Sequence, residues 1–283
     1  MIHGLSSHLI VGHKLTTQWL EQVSNAGIEL VEIFCARHSF DYRDRSQVAE
    51  FTRWFRDHKL KLHSLHMPMY ADFEWGRSGP SAVINIADTE RIRRRDSVDE
   101  IKRALEVSEE IPCRYAIQHI GLGREEADDR KYEAAARSLE ELNVFAHDRG
   151  VEVLIENIPN DLSSGEKLAR FVETAHLKNG FCFDTGHANI MEGVDAAFDA
   201  MKERIRSTHV HDNDGTNDIH LFPYLHDNIT IDWRRTMALL RSRENQYPLM
   251  LELRESASIP DSIAAVREVL DRLENERPLE EER

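Results

Sequence analysis

Carboxylate and imidazole side chains follow apolar runs at six places along this chain. These places are His66, His119, Glu156, the Asp184/His187 pair, the stretch 209–220, and Glu252. Zinc, manganese and similar divalent ions accept mixed imidazole and carboxylate ligands, whereas softer metals prefer thiolates. If the fold brings these places together, the sequence predicts a divalent metal site with carboxylates placed for proton transfer.

Glu156 and Glu252 carry the clearest single signals. Each follows an apolar run, Val153–Ile155 or Leu249–Leu251, so each carboxylate is expected to be buried. A buried carboxylate needs a cation or several hydrogen-bond donors. We therefore interpret both as metal ligands and as the two proton-transfer groups, with a structural ion pair as the alternative.

The segment Asp184-Thr-Gly186-His187 follows the apolar run 181–183. Gly186 would allow a tight turn that directs Asp184 and His187 to one point, which suits metal chelation. The alternative is that Asp184 only caps the following helix, with His187 merely nearby.

The stretch 209–220 is the most polar part of the chain. On a strand, His209 and His211 would point to the same side, and Asp218 and His220 could form a second such pair. Not all of these side chains can be ligands. We expect His211 and its neighbours Asp212 and Asp214 to support the ligands or to lie in a solvated loop.

His66 and His119 would mean little alone, since a histidine at a strand end is more often hydrogen-bonded filler than a ligand. They become more significant as a group, because every candidate lies at the end of a strand in a repeating pattern of strand and helix. Parallel strands that close into a barrel bring their carboxyl ends to one rim.

The elements expected to position these residues are eight short strands. They are predicted at Ile2–Ser6, Gly27–Phe34, Lys61–Met67, Tyr115–Ile120, Glu152–Glu156, Phe181–Asp184, Ser207–His211 and Leu249–Leu253. Helical periodicity lies between them and is clearest over Asp128–Asp148. The sequence thus predicts an α/β protein with a single-domain (β/α)8 TIM barrel over residues 1–273, followed by a charged C-terminal tail at 274–283.

The connection Pro68–Asp96 is longer than most strand-to-helix loops, and long loops tend to be lids or binding loops. It contains Trp75. We interpret Trp75 as a wall on which a sugar stacks, and ordinary loop packing is the alternative.

Composition excludes several classes of protein. The 36 Lys and Arg residues against 51 Asp and Glu residues give a net charge of −15, which disfavours nucleic acid as a partner. The three cysteines are far apart and form no C-x-x-C pair, so a cytoplasmic location is the simplest expectation. No apolar run long enough to span a membrane is present, and no glycine-rich nucleotide motif.

At the level of motifs the chain resembles the xylose-isomerase-like TIM barrels, which include sugar phosphate isomerases and epimerases and the endonuclease IV group. The resemblance covers essentially the whole chain. The motifs that carry it are His66-Met-Pro, His119-Ile-Gly, Ile155-Glu156-Asn157, Phe183-Asp184-Thr-Gly-His187, His209-Val-His-Asp212, Asp218-Ile-His220 and Leu251-Glu252.

Similarity to the ketose epimerases implies that Glu156, Asp184, His209 and Glu252 bind one divalent ion. It also implies isomerisation or epimerisation of a sugar or sugar phosphate, in which the two glutamates move a proton through a metal-stabilised enediolate. We expect manganese or zinc, and magnesium or cobalt would also suit. His66, His187 and Trp75 are the expected substrate contacts. Homo-oligomerisation is left open.

Similarity to endonuclease IV implies a different function, a zinc phosphodiesterase acting on abasic-site DNA. That group holds three zinc ions at nine positions, and this chain has a matching residue at each: His66, His119, Glu156, Asp184, His187, His209, Asp218, His220 and Glu252. The acidic composition weighs against DNA. The same residues would also suit a polyol dehydratase of this fold, or a sugar-binding protein without turnover.

Overall fold

Eight parallel strands form one sheet in the computed structural model, which describes residues 1–276. The strands are β1 His3–Ser6, β2 Leu30–Phe34, β3 Lys61–His66, β4 Tyr115–His119, β5 Glu152–Glu156, β6 Gly180–Asp184, β7 Ile205–His209 and β8 Leu249–Leu251. Neighbours follow chain order from β1 to β7, and β8 pairs with β1. A parallel bridge between Val210 and Leu251 joins the β7 and β8 ends, so the barrel is closed.

Helices cover the outside of the barrel. They are α1 Thr17–Asn25, α2 Arg45–Asp57, α3 Arg91–Leu105, α4 Val107–Glu110, α5 Asp129–His147, α6 Gly165–Thr174, α7 Thr185–Ile190, α8 Val194–Met201, α9 Trp233–Arg241 and α10 Ser262–Asn275. Short 3-10 helices follow β1 at Ser7–Ile10 and lie in the β3–α3 connection at Gly79–Ala82.

The strands form because short, nearly continuous apolar runs can be buried on both faces between the barrel interior and the helices. Val153, Leu154 and Ile155 of β5, for example, are all buried. In α5 the apolar residues recur at helical spacing, and Leu139 and Leu142 are fully buried. Asp128 caps this helix by accepting a hydrogen bond from the Arg130 amide.

The predicted (β/α)8 fold is confirmed, and each predicted strand has a counterpart. The pairs Ser97/Glu100 and Ser163/Glu166 have the capping-box spacing that predicts a helix start, and both of these predicted starts are wrong. Ser97 lies inside α3, where its hydroxyl donates to the Arg93 carbonyl, and Glu90 caps the helix instead. For α6 the capping hydroxyl belongs to Ser164 and not to Ser163. A serine followed three residues later by glutamate also occurs in helix interiors, so the spacing alone misplaced both ends.

The long β3–α3 connection is ordered by its own backbone. Tyr70 and Val83 form an antiparallel bridge, the Ala71 amide donates to the Ala82 carbonyl at 2.7 Å, and the Ile84 amide donates to the Met69 carbonyl at 3.0 Å. Trp75 lies in the loop that this ladder closes.

The first two residues of the predicted tail at 274–283 still belong to α10, which ends at Asn275. Glu274 belongs to α10 and accepts hydrogen bonds from the N-terminal amine and from His3. Residues 277–283 lie outside the described part of the chain. Among residues 1–276, none of the helices combines the length and the apolar character that a membrane crossing needs.

Candidate metal and substrate site

The four residues expected to bind one divalent ion meet at the carboxyl-terminal rim of the barrel. Glu156, Asp184 and His209 end β5, β6 and β7, and Glu252 comes directly after β8. All four are buried, and each offers a ligand atom within 4.8 Å of those of the other three. They meet because parallel strands in a closed barrel end on one side.

The imidazole of His209 has carboxylates on both sides. Its Nδ1 lies 3.1 Å from Oε1 of Glu156, 3.3 Å from Oε2 of Glu252 and 4.0 Å from Oδ2 of Asp184. Its Nε2 lies 3.1 Å from the carboxylate of Glu32 in β2. Nδ1 therefore faces the point where three carboxylates converge.

Glu32 was not among the predicted site residues, although a signal existed. It interrupts the apolar strand Leu30–Phe34 and is fully buried. The argument applied to Glu156, that a carboxylate inside an apolar run needs a partner, applies equally to Glu32.

Burial alone would raise the pKa of Glu156, but the nearby charges of His209 and His119 outweigh burial and hold this pKa well below its ordinary value. Glu252 shows the same balance, in which burial is opposed by His209 and His220 and the pKa is lowered. Both side chains are therefore carboxylates at neutral pH. That is the form that binds cations and accepts protons.

A first histidine group lies beside Glu156. His119 Nε2 is 3.0 Å from Oε2 of Glu156, and His66 Nε2 is 3.2 Å from His119 Nε2. The His66 ring stacks on Phe34, with ring centroids 4.0 Å apart. Glu156 and the two histidines form a further group of side chains that could hold a cation.

A second histidine group lies beside Glu252. His187, His211, Asp218 and His220 offer ligand atoms within 4.8 Å of one another. His220 Nδ1 is 3.1 Å from Asp218, and its Nε2 is 3.2 Å from Glu252. Burial would lower the pKa of His220, but Asp218 and Glu252 raise it to about 10.

Asp184 both caps a helix and faces the other candidate ligands. Its Oδ1 accepts a hydrogen bond from the His187 amide at the start of α7, at 2.6 Å, while its Oδ2 lies 3.1 Å from His211 Nε2. The two interpretations of Asp184 are therefore compatible. Gly186 lies within α7 and not in a tight turn, and its missing side chain makes room for the His211 ring.

The remaining acidic residues of the 209–220 stretch have supporting positions. Asp212 is buried and accepts hydrogen bonds from the Thr230 and Ile231 amides and from the Trp233 indole. Asp214 is partly exposed and accepts from the Thr216 and Asn217 amides of its own turn.

His8, from the 3-10 helix after β1, was missed by the sequence analysis. Its Nδ1 is 3.0 Å from the Leu253 carbonyl, and its ring lies 4.4 Å from that of His220. Burial, reinforced by His220, lowers its pKa to about 3. His8 is therefore a neutral imidazole. Its position after a short strand with no apolar-run signature explains why the pattern did not find it.

Trp75 lies at the mouth of the barrel, on the side of β1 and β2. Its ring centroid is 5.5 Å from that of Phe34 and 5.5 Å from that of His38. With His8, which offers a ring nitrogen within 4.8 Å of a carboxylate oxygen of Glu252, it lines a cavity of about 550 Å³. Its indole N–H is buried without a hydrogen-bond partner among residues 1–276.

Comparison with known proteins gives the family. The model of the xylose isomerase-like TIM barrel matches residues 20–276. An uncharacterised protein, y4fM of Sinorhizobium fredii, is 22% identical over 222 residues, which are 72% of this chain and 70% of that protein.

Two solved structures share the fold. A D-tagatose 3-epimerase-like protein superposes with a TM-score of 0.75 at 22% identity, covering 96% of this chain and 97% of the other. D-allulose 3-epimerase from Methylomonas sp., solved with D-allulose, gives a TM-score of 0.75 at 16% identity over 98% and 97% of the two chains. By the family match, this chain belongs to the xylose isomerase-like TIM barrel family.

Proposed function

We propose that the protein is a divalent-metal-dependent isomerase or epimerase of a sugar or sugar phosphate. The observation that carries the proposal is the convergence of Glu156, Asp184, His209 and Glu252 at one buried point of the barrel rim. The names of the two solved structures, a 3-epimerase-like protein and a 3-epimerase with D-allulose, support a sugar as the substrate.

The donor set fits a divalent ion. Three buried carboxylates around one imidazole repel each other, and a cation of charge two offsets this repulsion. Oxygen and nitrogen donors without a thiolate suit manganese or zinc, and magnesium or cobalt are also acceptable. When bound, the ion would polarise a ketose carbonyl and lower the barrier to an enediolate.

Glu156 and Glu252 are the proposed proton-transfer groups. They come from β5 and from the end of β8, well separated around the barrel, so they approach the common centre from different directions. One carboxylate would remove the proton from a substrate carbon. The other, after taking up a proton from solvent, would deliver that proton to the opposite face, and the first would then release its proton to solvent. Inversion at that carbon is epimerisation.

His66, His187 and Trp75 are the proposed substrate contacts. His66 and His187 lie on the two flanks of Glu156, where their ring nitrogens can bond substrate oxygens. Trp75 lines the adjoining cavity together with His8, so its ring can pack against the apolar face of a sugar.

The test is hydrogen exchange between solvent and substrate carbon. We expect the manganese-loaded protein to introduce deuterium from D2O into at least one ketose or ketose phosphate of a broad panel. Glu252→Gln should slow this exchange by roughly 10²–10⁴-fold, the usual contribution of a general base.

The matched control is Glu140→Gln, because Glu140 is exposed on α5 and should leave the exchange rate unchanged. Absence of exchange across the panel by metal-loaded wild type would refute the proposal.

A zinc phosphodiesterase is the second candidate, and one observation favours it. The two histidine groups beside the central cluster could each hold a further cation. Elemental analysis separates the candidates, because the isomerase or epimerase needs one ion per chain. Three zinc ions per chain, together with cleavage of abasic-site DNA, would reverse the ranking.

A further inference from the structure

Glu32 is a fully buried carboxylate at the bottom of the candidate site. Its Oε1 accepts a hydrogen bond from the Ser6 hydroxyl at 2.9 Å, and its Oε2 accepts one from the Ser64 hydroxyl at 2.7 Å. Ser6 and Ser64 belong to β1 and β3, the strands on either side of β2. The carboxylate is therefore held in one orientation by both neighbouring strands.

The third partner of Glu32 is the imidazole of His209, which is 177 residues away in the chain. Among residues 1–276, no lysine or arginine forms an ion pair with Glu32. The barrel thus buries a carboxylate whose partners are two serine hydroxyls and one histidine. Burying such a charge is costly unless its partners are fixed, so this arrangement calls for a reason beyond packing.

The geometry on the other side of the ring supplies a reason. A neutral imidazole has one N–H and one free lone pair. If Nε2–H donates to Glu32, the lone pair is on Nδ1, the atom that faces Glu156 and Glu252. Histidine ligands of metals commonly donate their other N–H to a carboxylate, which fixes the tautomer and makes the ligand more basic.

We infer that Glu32 is a positioning residue for the metal: it holds His209 in the tautomer and orientation that present Nδ1 to the cation. Glu32 itself does not touch the ion or the substrate. This inference rests on the proposed function, since it assumes that His209 is a metal ligand.

The experiment compares metal binding by wild type, Glu32→Gln and Glu29→Gln, measured by calorimetry with Mn²⁺. Glu32→Gln keeps the size of the side chain but removes its charge. We expect its Mn²⁺ affinity to fall by roughly 10–100-fold, as is usual when a partner of a metal ligand is changed. Glu29→Gln alters an exposed glutamate just before β2 and should bind like wild type.

Two readouts separate positioning from a merely structural role. The absorption spectrum of the Co²⁺-loaded protein reports the ligand field, and we expect the bands of Glu32→Gln to be shifted from those of wild type at saturating metal. Glu32→Asp retains the charge but shortens the side chain and draws the carboxylate away from His209, so it should bind Mn²⁺ more tightly than Glu32→Gln but still more weakly than wild type. It also provides the test if Glu32→Gln does not fold.

The outcomes are distinct. Metal binding by wild type, with unchanged affinity and an unchanged cobalt spectrum in Glu32→Gln or, failing that, in Glu32→Asp, would overturn the inference and leave the proposed function standing. Wild type that binds none of the divalent ions would overturn the proposed function first.

Discussion

The imidazole of His211 packs directly against the backbone of Gly186, and this contact shows how little space surrounds the charged groups. His211 also reaches Asp184 and stacks on His220, with ring centroids 3.9 Å apart. A side chain at position 186 would overlap the His211 ring. The glycine is thus required by a neighbouring side chain and not by its own backbone conformation.

Gly186→Ala should therefore disturb the site although Gly186 is not itself a proposed ligand. The added methyl group must displace the His211 ring, which would cost about 1–3 kcal/mol as overpacking does elsewhere. Urea unfolding should show this loss, and calorimetry should show weaker Mn²⁺ binding. Gly123→Ala is the control, because an added methyl group there meets no atom within 4 Å. Equal stability of the two variants would contradict the assignment.

At the scale of single residues, a carboxylate within or directly after an apolar run was the feature of the sequence that indicated a site residue. Glu156 and Glu252 were found because each follows an apolar run, and Glu32 could have been found in the same way. His8 and the contact between Gly186 and His211 could not, because they depend on how separate segments pack. Helix-capping spacing, in contrast, was an unreliable signal at Ser97.

At the scale of elements, hydrogen bonds between strand ends align the proposed metal ligands. The Asn157 side chain, directly after β5, donates to the Asp184 carbonyl at 2.9 Å and accepts from the Asp184 amide at 2.8 Å. The His187 ring lies 2.9 Å from the Asn157 carbonyl. Asn157 therefore joins the ends of β5 and β6, and with them Glu156 and Asp184.

A polar contact on the outside of the barrel joins α3 to the segment before α2. Glu100 of α3 is buried and accepts hydrogen bonds from Tyr42 at 2.5 Å, from Arg43 Nε at 2.9 Å and from Arg103 at 2.6 Å. Burial would raise the pKa of Glu100, but these donors outweigh burial and lower it below its ordinary value of 4.5.

This contact gives stability a pH dependence of known sign. Because the pKa of Glu100 is lower in the folded state, its contribution is full above pH 4.5 and is lost as the pH falls through the folded-state pKa. Glu100→Gln should be less stable than wild type at pH 7, and the difference should shrink as the pH is lowered below 4.5.

Urea unfolding of both proteins across this range measures the difference. A gap that stays constant or widens on acidification would show that the charge of Glu100 is not the source of its contribution.

The sequence predicts the end of a strand correctly where the strand ends on a charged residue. The ends of β5 and β6 were predicted correctly, since a carboxylate stops each apolar run. The strand starting at Ile205 was placed too late, because the polar residues Arg206 and Ser207 conceal where its pairing begins. The internal ladder of the β3–α3 loop depends on backbone pairing that residue types do not reveal.

At the scale of the whole molecule, the candidate site exists only when the barrel closes. Its four proposed ligands come from β5, β6, β7 and the end of β8, and the Glu252 amide donates to the Val210 carbonyl at 3.2 Å where the ends meet. The eight predicted strands, with candidate residues at their carboxyl-terminal ends, were sufficient to predict this closure. A cation bound only by the folded barrel would stabilise the whole chain.

Anomalous diffraction from crystals soaked in Mn²⁺ tests most directly the proposal that these four residues share one metal ion. We expect a peak with ligand atoms of Glu156, Asp184, His209 and Glu252 about 2.0–2.3 Å away. Absence of a peak among these four residues at saturating Mn²⁺, or a peak only elsewhere on the protein, would contradict the assignment.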